Sequence, residues 1–396
     1  MEPYLRSDLS VDQKPLGSNL VLNVAYFSNQ FASAEGHGIA RYAHEIYKGL
    51  RKCDDLSIRP VAAWSSLPPE RLSALQRDTG LELVKLGRRL TPLAWHFLDI
   101  PTLERLIGGT VDVVHAVSLG YAVSTRKPYV VTVHDLGPLT HPEYFSNNKP
   151  WIMERSLRQA EARADAIICV SDSTANEVEG YLGAHVANRI RVIKEGVSPE
   201  FFEPSDMACL AGLDLPPDDI PIILTAGKIS PRKNMQGVIR ALKKVRDKID
   251  HHLVLVGADG WETEVVLKEL DDGTLRNRVH LLGYVRDDQL RALYRRASLY
   301  IHPSLYEGFG LTVLEAMASG VPVITSNMSS LPEVAGEAGL LVDPANDIEI
   351  AEAIQSICTD TSLREVKIAQ GLARAGLFSW DDCAVELGDV FANVRR

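Results

Sequence analysis

Nine short runs of β-branched and other apolar residues punctuate this chain, each followed by helical periodicity. Parallel sheets with crossover helices produce that alternation. Leu20–Tyr26, Val111–His115, Tyr129–His134 and Ala166–Val170 read as buried strands in the first half. Ile222–Ala226, His252–Val256, Val279–Leu282, Leu299–His302 and Val321–Thr325 read the same way in the second. At 396 residues the chain exceeds what one core usually supports. The expectation is an α/β protein of two Rossmann-like, doubly wound domains facing a central cleft. Ligands of such sheets sit beyond the carboxyl ends of the strands, so polar residues there are the first candidates for function.

Between Glu195 and Ile220 the periodicity fails at Pro199, Pro204, Pro216, Pro217, Asp218 and Asp219. The expected division is a loose tail over 1–19, a first domain over 20–200, a linker over 201–220 and a second domain over 221–376. The polar start from Met1 to Asn19 lacks the apolar centre of a signal peptide, and no run approaches the length of a membrane span. Cys53, Cys169, Cys209, Cys358 and Cys383 are odd in number and scattered, without a Cys-x-x-Cys pair. That argues against a disulfide framework or a zinc site and for a reducing, cytoplasmic compartment. Residues 1–195 carry 22 basic and 22 acidic side chains, and 196–396 carry 20 and 30. No basic stripe marks a nucleic-acid partner, and an anionic membrane would meet the first half more readily.

Chemistry concentrates in Glu307-Gly308-Phe309-Gly310-Leu311-Thr312-Val313-Leu314-Glu315, where a glycine-spaced loop enters an apolar helix. Gly308 and Gly310 let backbone N–H groups approach a ligand, and a helix N-terminus favours an anion such as a diphosphate. Carboxylates accept hydrogen bonds from hydroxyls, so Glu307 and Glu315 point to sugar or ribose.

Taken with Gly227-Lys228-Ile229-Ser230-Pro231-Arg232-Lys233-Asn234, His302-Pro303-Ser304, His134-Asp135, Ser171-Asp172-Ser173 and the run from Thr325 through Leu331-Pro332-Glu333-Val334 to Asp343-Pro344, this segment resembles the retaining GT-B glycosyltransferases of family 4. The resemblance implies a nucleotide-sugar donor held by the second domain, an acceptor held by the first, and no metal or other cofactor. Lys228, Arg232 and Lys233 would face the donor diphosphate, where fixed cations stabilise the charge developing on the leaving group. The family usually has Arg at the position of Lys228, and Arg232 would then supply the bidentate fork that Lys cannot make. Glu315 would bind ribose. Glu307 would approach the transferred sugar beside the amides of Gly308, Phe309, Gly310 and Leu311. Gly227 would flank the phosphates, while Asp259 and Val285, at further strand ends, look like nucleobase-pocket walls.

His134 and Asp135 would meet sugar and acceptor from the first domain. For His134, general base, sugar-hydroxyl binder and plain strand-end histidine all stay open. His37-Gly38-Ile39-Ala40-Arg41 resembles a degraded form of the family's first glycine-rich loop, with Gly38 near donor phosphate, His37 on the acceptor side, and Arg41 either an anion contact or a surface charge. Ser171 reads first as an N-cap and second as an acceptor-side group. Asp271-Asp272 and Asp287-Asp288 read as solvated surface. Arg88-Arg89 with Trp95, His96 and Phe97 reads first as core packing and second as a membrane-interface stretch. Residues 377–396 resemble a helix that crosses back onto the first domain, with Trp380 as its anchor.

The function so implied is transfer of a hexose, first choice mannose from GDP-mannose, to a saccharide or polyprenyl-diphosphate-linked saccharide in polysaccharide assembly, with peripheral contact at the inner membrane face left open. Rhamnosyl, fucosyl and glucosyl transfer are alternatives. From other classes, an epimerase or phosphorylase of this fold and an inactive sugar-binding subunit are the rivals.

Overall fold

The computed structural model describes residues 21–33, 38–145, 150–260, 263–275 and 277–395, with the backbone alone at 88, 89 and 92. Two separate parallel sheets form. The first joins β1 (Leu22–Phe27), β2 (Leu56–Ala62), β3 (Glu82–Leu83), β4 (Val113–Ala116), β5 (Tyr129–Val133), β6 (Ala166–Cys169) and β7 (Ile190–Val192) in the order β3-β2-β1-β4-β5-β6-β7. The second joins β8 (Ile222–Ala226), β9 (His252–Val256), β10 (Val279–Gly283), β11 (Ala297–His302), β12 (Val323–Ser326) and β13 (Leu340–Val342) in the order β10-β9-β8-β11-β12-β13. Each order reverses direction once, between β1 and β4 and between β8 and β11. Beyond the strand ends at such a reversal lies the crevice where open α/β sheets bind ligands.

All nine runs read from the sequence are strands, shifted by a few residues at most. Their continuous apolar character follows from burial on both faces. In β1, Val24 and Tyr26 enter one core while Ala25 and Phe27 enter another, and Ile222 and Leu224 of β8 are likewise separated from Ile223. Four strands went unread. In β2, Arg59 and Pro60 interrupt the apolar run, although Pro60 lies in register beside Tyr26. The strands β3, β7 and β13 have two or three residues each and are only partly buried.

Residues 201–220 are not an open tether. Phe201 and Leu210 are buried, Gln289 donates to the carbonyl of Cys209 at 3.0 Å, and Arg295 donates to the carbonyls of Phe201 and Glu203. The segment thus lies along the helix Asp287–Arg296. The helix Trp380–Val394 packs on the first-domain helix Gly38–Leu50. A Cβ at Gly49 would meet Ala384 Cβ at 2.6 Å, which is why the helices cross at a glycine. Tyr42 and Trp380 rings meet edge to face at 5.8 Å, and Phe391 is fully buried against His115. Truncating Phe391 to Ala would remove about 3–5 kcal/mol of stability. Among the described residues no helix is long and apolar enough to cross a membrane.

Candidate active site

At the end of β11 the chain turns through His302, Pro303 and Ser304 and delivers Glu307 into a buried ring of donors. One carboxylate oxygen accepts from Lys233 Nζ at 2.6 Å, Ser304 Oγ at 2.8 Å and His302 Nε2 at 2.9 Å, and the other lies 2.7 Å from the Arg232 guanidinium. Burial alone would raise the Glu307 carboxyl. The charges of Arg232 and Lys233, then the bond from His302, outweigh it and hold the group well below the usual carboxylate range. His302 is itself pushed down to about 4 by burial and then by Lys233, so near neutral pH it is an uncharged ring whose Nε2–H faces Glu307. Its Nδ1 is then free to accept from Tyr300 Oη at 3.3 Å. Two cations thus surround one carboxylate at the β8/β11 reversal, with Asp135 of the first domain near enough to Arg232 to feel its charge.

Local structure explains the placement. Ser230 opens the one-turn helix Pro231–Lys233, Asn234 ends it in the left-handed region, and the Arg232 carbonyl accepts from Leu305 N–H and lies 2.9 Å from Ser304 Oγ. Gly227, at φ +139°, has no Cβ where Lys233 Cε passes, 3.1 Å from an ideal one. Gly308 carries a stricter demand: a Cβ there would lie 1.9 Å from the His134 carbonyl oxygen of the opposite domain.

The two domains touch throughout this region. Ser171 Oγ donates to the Gly308 carbonyl at 2.7 Å and Thr174 Oγ1 donates at 3.2 Å. Tyr306 Oη donates to Glu177 at 2.7 Å and accepts from Leu136 N–H at 3.1 Å. The Glu333 carboxylate accepts the N–H groups of Asp172 and Ser173, both at 3.0 Å, against the positive end of the helix Asp172–Leu182. Glu315, buried in the helix Leu311–Ala318, forms an ion pair with Arg41 from the first domain and accepts from Tyr294 Oη at 3.2 Å. Burial raises its carboxyl despite the opposing charge of Arg41.

The model of the group 1 glycosyl transferases matches residues 214–373, and that of glycosyltransferase family 4 matches residues 36–201. O-antigen chain mannosyltransferase B of Escherichia coli is 34% identical over 374 residues, covering 88% of this chain and 94% of that one. The chain belongs to the family 4, group 1 glycosyltransferases. The serotype-specific mannosyltransferase WbdA of Escherichia coli is 33% identical over 267 residues, 64% of this chain but 32% of WbdA. In three dimensions the glycosyltransferase resembles Anabaena Alr3699/HepE, seen with UDP and glucose, at a TM-score of 0.71 and 18% identity, covering 94% of this chain and 100% of that one. At that identity the likeness speaks for the GT-B fold alone.

Of the residues expected in the glycosyltransferase site, Arg232, Lys233 and Glu307 come together, the two cations paired with the one carboxylate. Lys228 stays exposed at the cleft side of β8, outside the Glu307 ring, and Asp259 is exposed as well. Val285 is buried in the core, as is Phe309, whose ring meets Phe378 edge to face at 6.0 Å. Gly310 caps the helix that begins at Leu311, and a Cβ on Gly38 would lie 3.7 Å from the Leu311 side chain across the cleft. Arg41 faces Glu315 and also Asp287 at 3.1 Å.

His134 turns inward. Its Nε2 lies 2.9 Å from the Val117 carbonyl and its Nδ1 3.2 Å from Glu195, while its backbone carbonyl abuts Gly308. Asp135 accepts from Gly137 N–H at 3.1 Å, and burial raises its carboxyl against the pull of Arg232. Ser171 is an N-cap, accepting from Thr174 N–H, and a cross-cleft donor at once. His37 lies outside the described residues. Sequence reasoning quoted His302 and Ser304 only within a motif, without a role, and did not single out Tyr306, Glu177 or Glu195. An aromatic residue directly before Glu307 was the available signal for Tyr306.

Proposed function

We propose that this glycosyltransferase moves mannose from GDP-mannose to a hydroxyl of a growing, lipid-linked saccharide, with retention at the anomeric carbon and without a metal. The observation that carries the sugar and the pathway is the 34% identity to O-antigen chain mannosyltransferase B over nearly its whole length. The Glu307 ring supports the donor half of the reading, because Arg232 and Lys233 are two partly buried cations at a strand reversal that share a single carboxylate. A diphosphate entering there meets the Arg232 guanidinium and the Lys233 ammonium, fixed charges that stabilise its developing charge without solvent reorganisation. HepE, of the same fold, is seen with UDP and glucose.

In the proposed step the acceptor oxygen bonds to the anomeric carbon on the face from which the diphosphate leaves. The carbon–oxygen bond to the β-phosphate breaks with its electron pair, and a departing phosphate oxygen takes the acceptor proton. Lys233 and Arg232 bind the leaving diphosphate, and Glu307 accepts from sugar hydroxyls. His134, engaged at both ring nitrogens, positions the loop against Gly308 and does not attack.

A thermal-shift panel of nucleotide-sugars tests the donor. GDP-mannose should raise the melting temperature, and a chelator should leave both the shift and the rate unchanged. Stabilisation by UDP- or dTDP-sugars with none by GDP-mannose would overturn the assignment. Mass spectrometry of lipid-linked acceptors after incubation with the active donor then identifies the product.

A further inference from the structure

Glu195, in the segment that follows β7, is a carboxylate only 4% exposed, and the transfer step above makes no use of it. Among the described residues its hydrogen-bond partner is His134, whose Nδ1 lies 3.2 Å from Oε1. A carboxylate so buried is costly unless a partner holds it, so the pairing is specific. The backbone around Glu195 is fixed as well. Val197 N–H donates to the Phe378 carbonyl at 3.2 Å, and the Cys383 thiol lies 2.6 Å from the Lys194 carbonyl. A Cβ on Gly196 would lie 2.3 Å from the Trp380 backbone nitrogen, so no side chain fits there. The segment returning from the second domain thus clamps the chain on both sides of Glu195.

The His134 ring is held in turn. Its Nε2 lies 2.9 Å from the Val117 carbonyl, which can only accept, so that nitrogen carries a proton. Nδ1 and Glu195 then share a second proton, since a bare lone pair facing a carboxylate would be repelled. The Tyr42 ring meets the imidazole edge to face at 4.7 Å. The other titratable groups facing Glu195, the Tyr42 phenol and the Cys383 thiol, are kept in their neutral forms chiefly by burial. From the fixed ring the effect crosses the cleft through the backbone. The His134 carbonyl oxygen would lie 1.9 Å from a Cβ on Gly308, and Thr174 Oγ1 lies 3.4 Å from that carbonyl and 3.2 Å from the Gly308 carbonyl. Gly308 directly follows Glu307, so a shift of the His134 backbone passes to the loop that carries Glu307.

We propose that Glu195 is a positioning residue for sugar transfer: by gripping Nδ1 of His134 it sets the seat on which the Gly308 loop, and with it Glu307, is held against the first domain. Its effect on turnover rests on the transfer reaction proposed above, whereas the seat of the loop does not depend on which sugar is moved. What Glu195 contributes is a hydrogen bond at a fixed place rather than a charge. An acid one carbon shorter keeps the charge but withdraws from Nδ1. An amide of the same length keeps the place, donating an N–H to Nδ1 while Nε2–H still faces the Val117 carbonyl.

The test compares Glu195→Gln, Glu195→Asp and Glu195→Ala in the full chain. Hydrogen–deuterium exchange over residues 305–312, without substrates, should speed up by about tenfold or more in Glu195→Asp and Glu195→Ala and stay at the wild-type rate in Glu195→Gln. With the nucleotide-sugar that the wild type uses, kcat should fall by about tenfold or more in the first two and recover to within about twofold in Glu195→Gln. Affinity for the matching nucleoside diphosphate, GDP in the case of GDP-mannose, should change by less than about twofold throughout, because Arg232 and Lys233 belong to the second domain. A larger loss in Glu195→Gln than in Glu195→Asp would make the charge decisive and overturn the proposal, and this ordering carries the test should Glu195→Ala fail to fold. Wild-type exchange and turnover in Glu195→Asp, or nucleotide affinity falling in step with kcat, would overturn it too. A wild type inactive with GDP-mannose would instead remove the donor assigned above, and the exchange comparison would still decide the role of Glu195.

Discussion

Glu307 and Glu315 close the two ends of one loop-and-helix segment, and both are buried, yet their environments are opposite. Glu307 takes all its partners from its own domain, two cations among them, and is held far below the ordinary carboxylate range. Glu315 has one cationic partner, Arg41, which belongs to the other domain, and burial raises its carboxyl. The Glu307 ring is therefore built within one domain, whereas the Glu315 pair joins the two domains across the cleft.

The strongest way to break this comparison is Glu307→Ala. It should lower turnover by about 10²-fold or more, as loss of a preorganised electrostatic contact does. It should also destabilise the ligand-free protein by about 1–3 kcal/mol, because the partly buried Arg232 and Lys233 lose the carboxylate they share. Steady-state kinetics and urea unfolding with and without GDP measure both, and GDP should recover part of the stability. Unchanged turnover would remove Glu307 from the catalytic site.

Next comes Lys233→Ala, expected to weaken GDP by about tenfold, the weight of one charge-assisted bond of about 1.5 kcal/mol or more. Isothermal titration checks it, and equal affinity would contradict a diphosphate role. Arg41→Ala should act on closure. Its radius of gyration by small-angle scattering should rise in the ligand-free state, whereas Glu307→Gln should leave that radius unchanged. If both variants or neither expanded, the division between the one-domain site and the cross-domain contact would fail.

A separate effect concerns acid. His115, His251 and His302 are held down by burial, to about 3, 4 and 4, against 6.5 for an ordinary histidine. In this window the unfolded chain binds more protons, so stability rises as pH increases from about 4 towards 6.5. Glu307, with its lowered carboxyl, loses its contribution as pH falls from the ordinary glutamate value of 4.5 towards its own. Glu315, raised, acts in the opposite sense above 4.5. Melting temperatures across this range should fall on the acid side, and His302→Gln, which keeps an N–H donor for Glu307, should flatten the slope.

The buried strands were readable because two-faced burial demands unbroken apolar runs, as at Ile222–Ala226 and His252–Val256, whose bounds agree with the structure. The strand β2 was not, since a strand near a sheet edge admits Arg59 and Pro60, and β3 and β13 are too short to carry a pattern. Within the site, Glu307 announced itself by residue type beside a glycine-spaced loop, while Arg232 and Lys233 followed from the family resemblance. His302 and Ser304 did not, because a histidine or serine at a strand end has many uses and only its neighbours select one.

Local sequence thus determined two α/β units, the glycine at 308, the apolar helix after Gly310 and the cations that follow β8, since each depends on contacts or periodicities spanning a few residues. Tertiary structure alone decided the rest. It joined Arg41 to Glu315 across 274 positions and Ser171 to Gly308 across 137, turned His134 towards Glu195, and split one aromatic stretch into buried Trp95 and exposed Phe97. The physical reason is that the state of a charged or aromatic side chain depends on what surrounds it, and these surroundings come from distant parts of the chain.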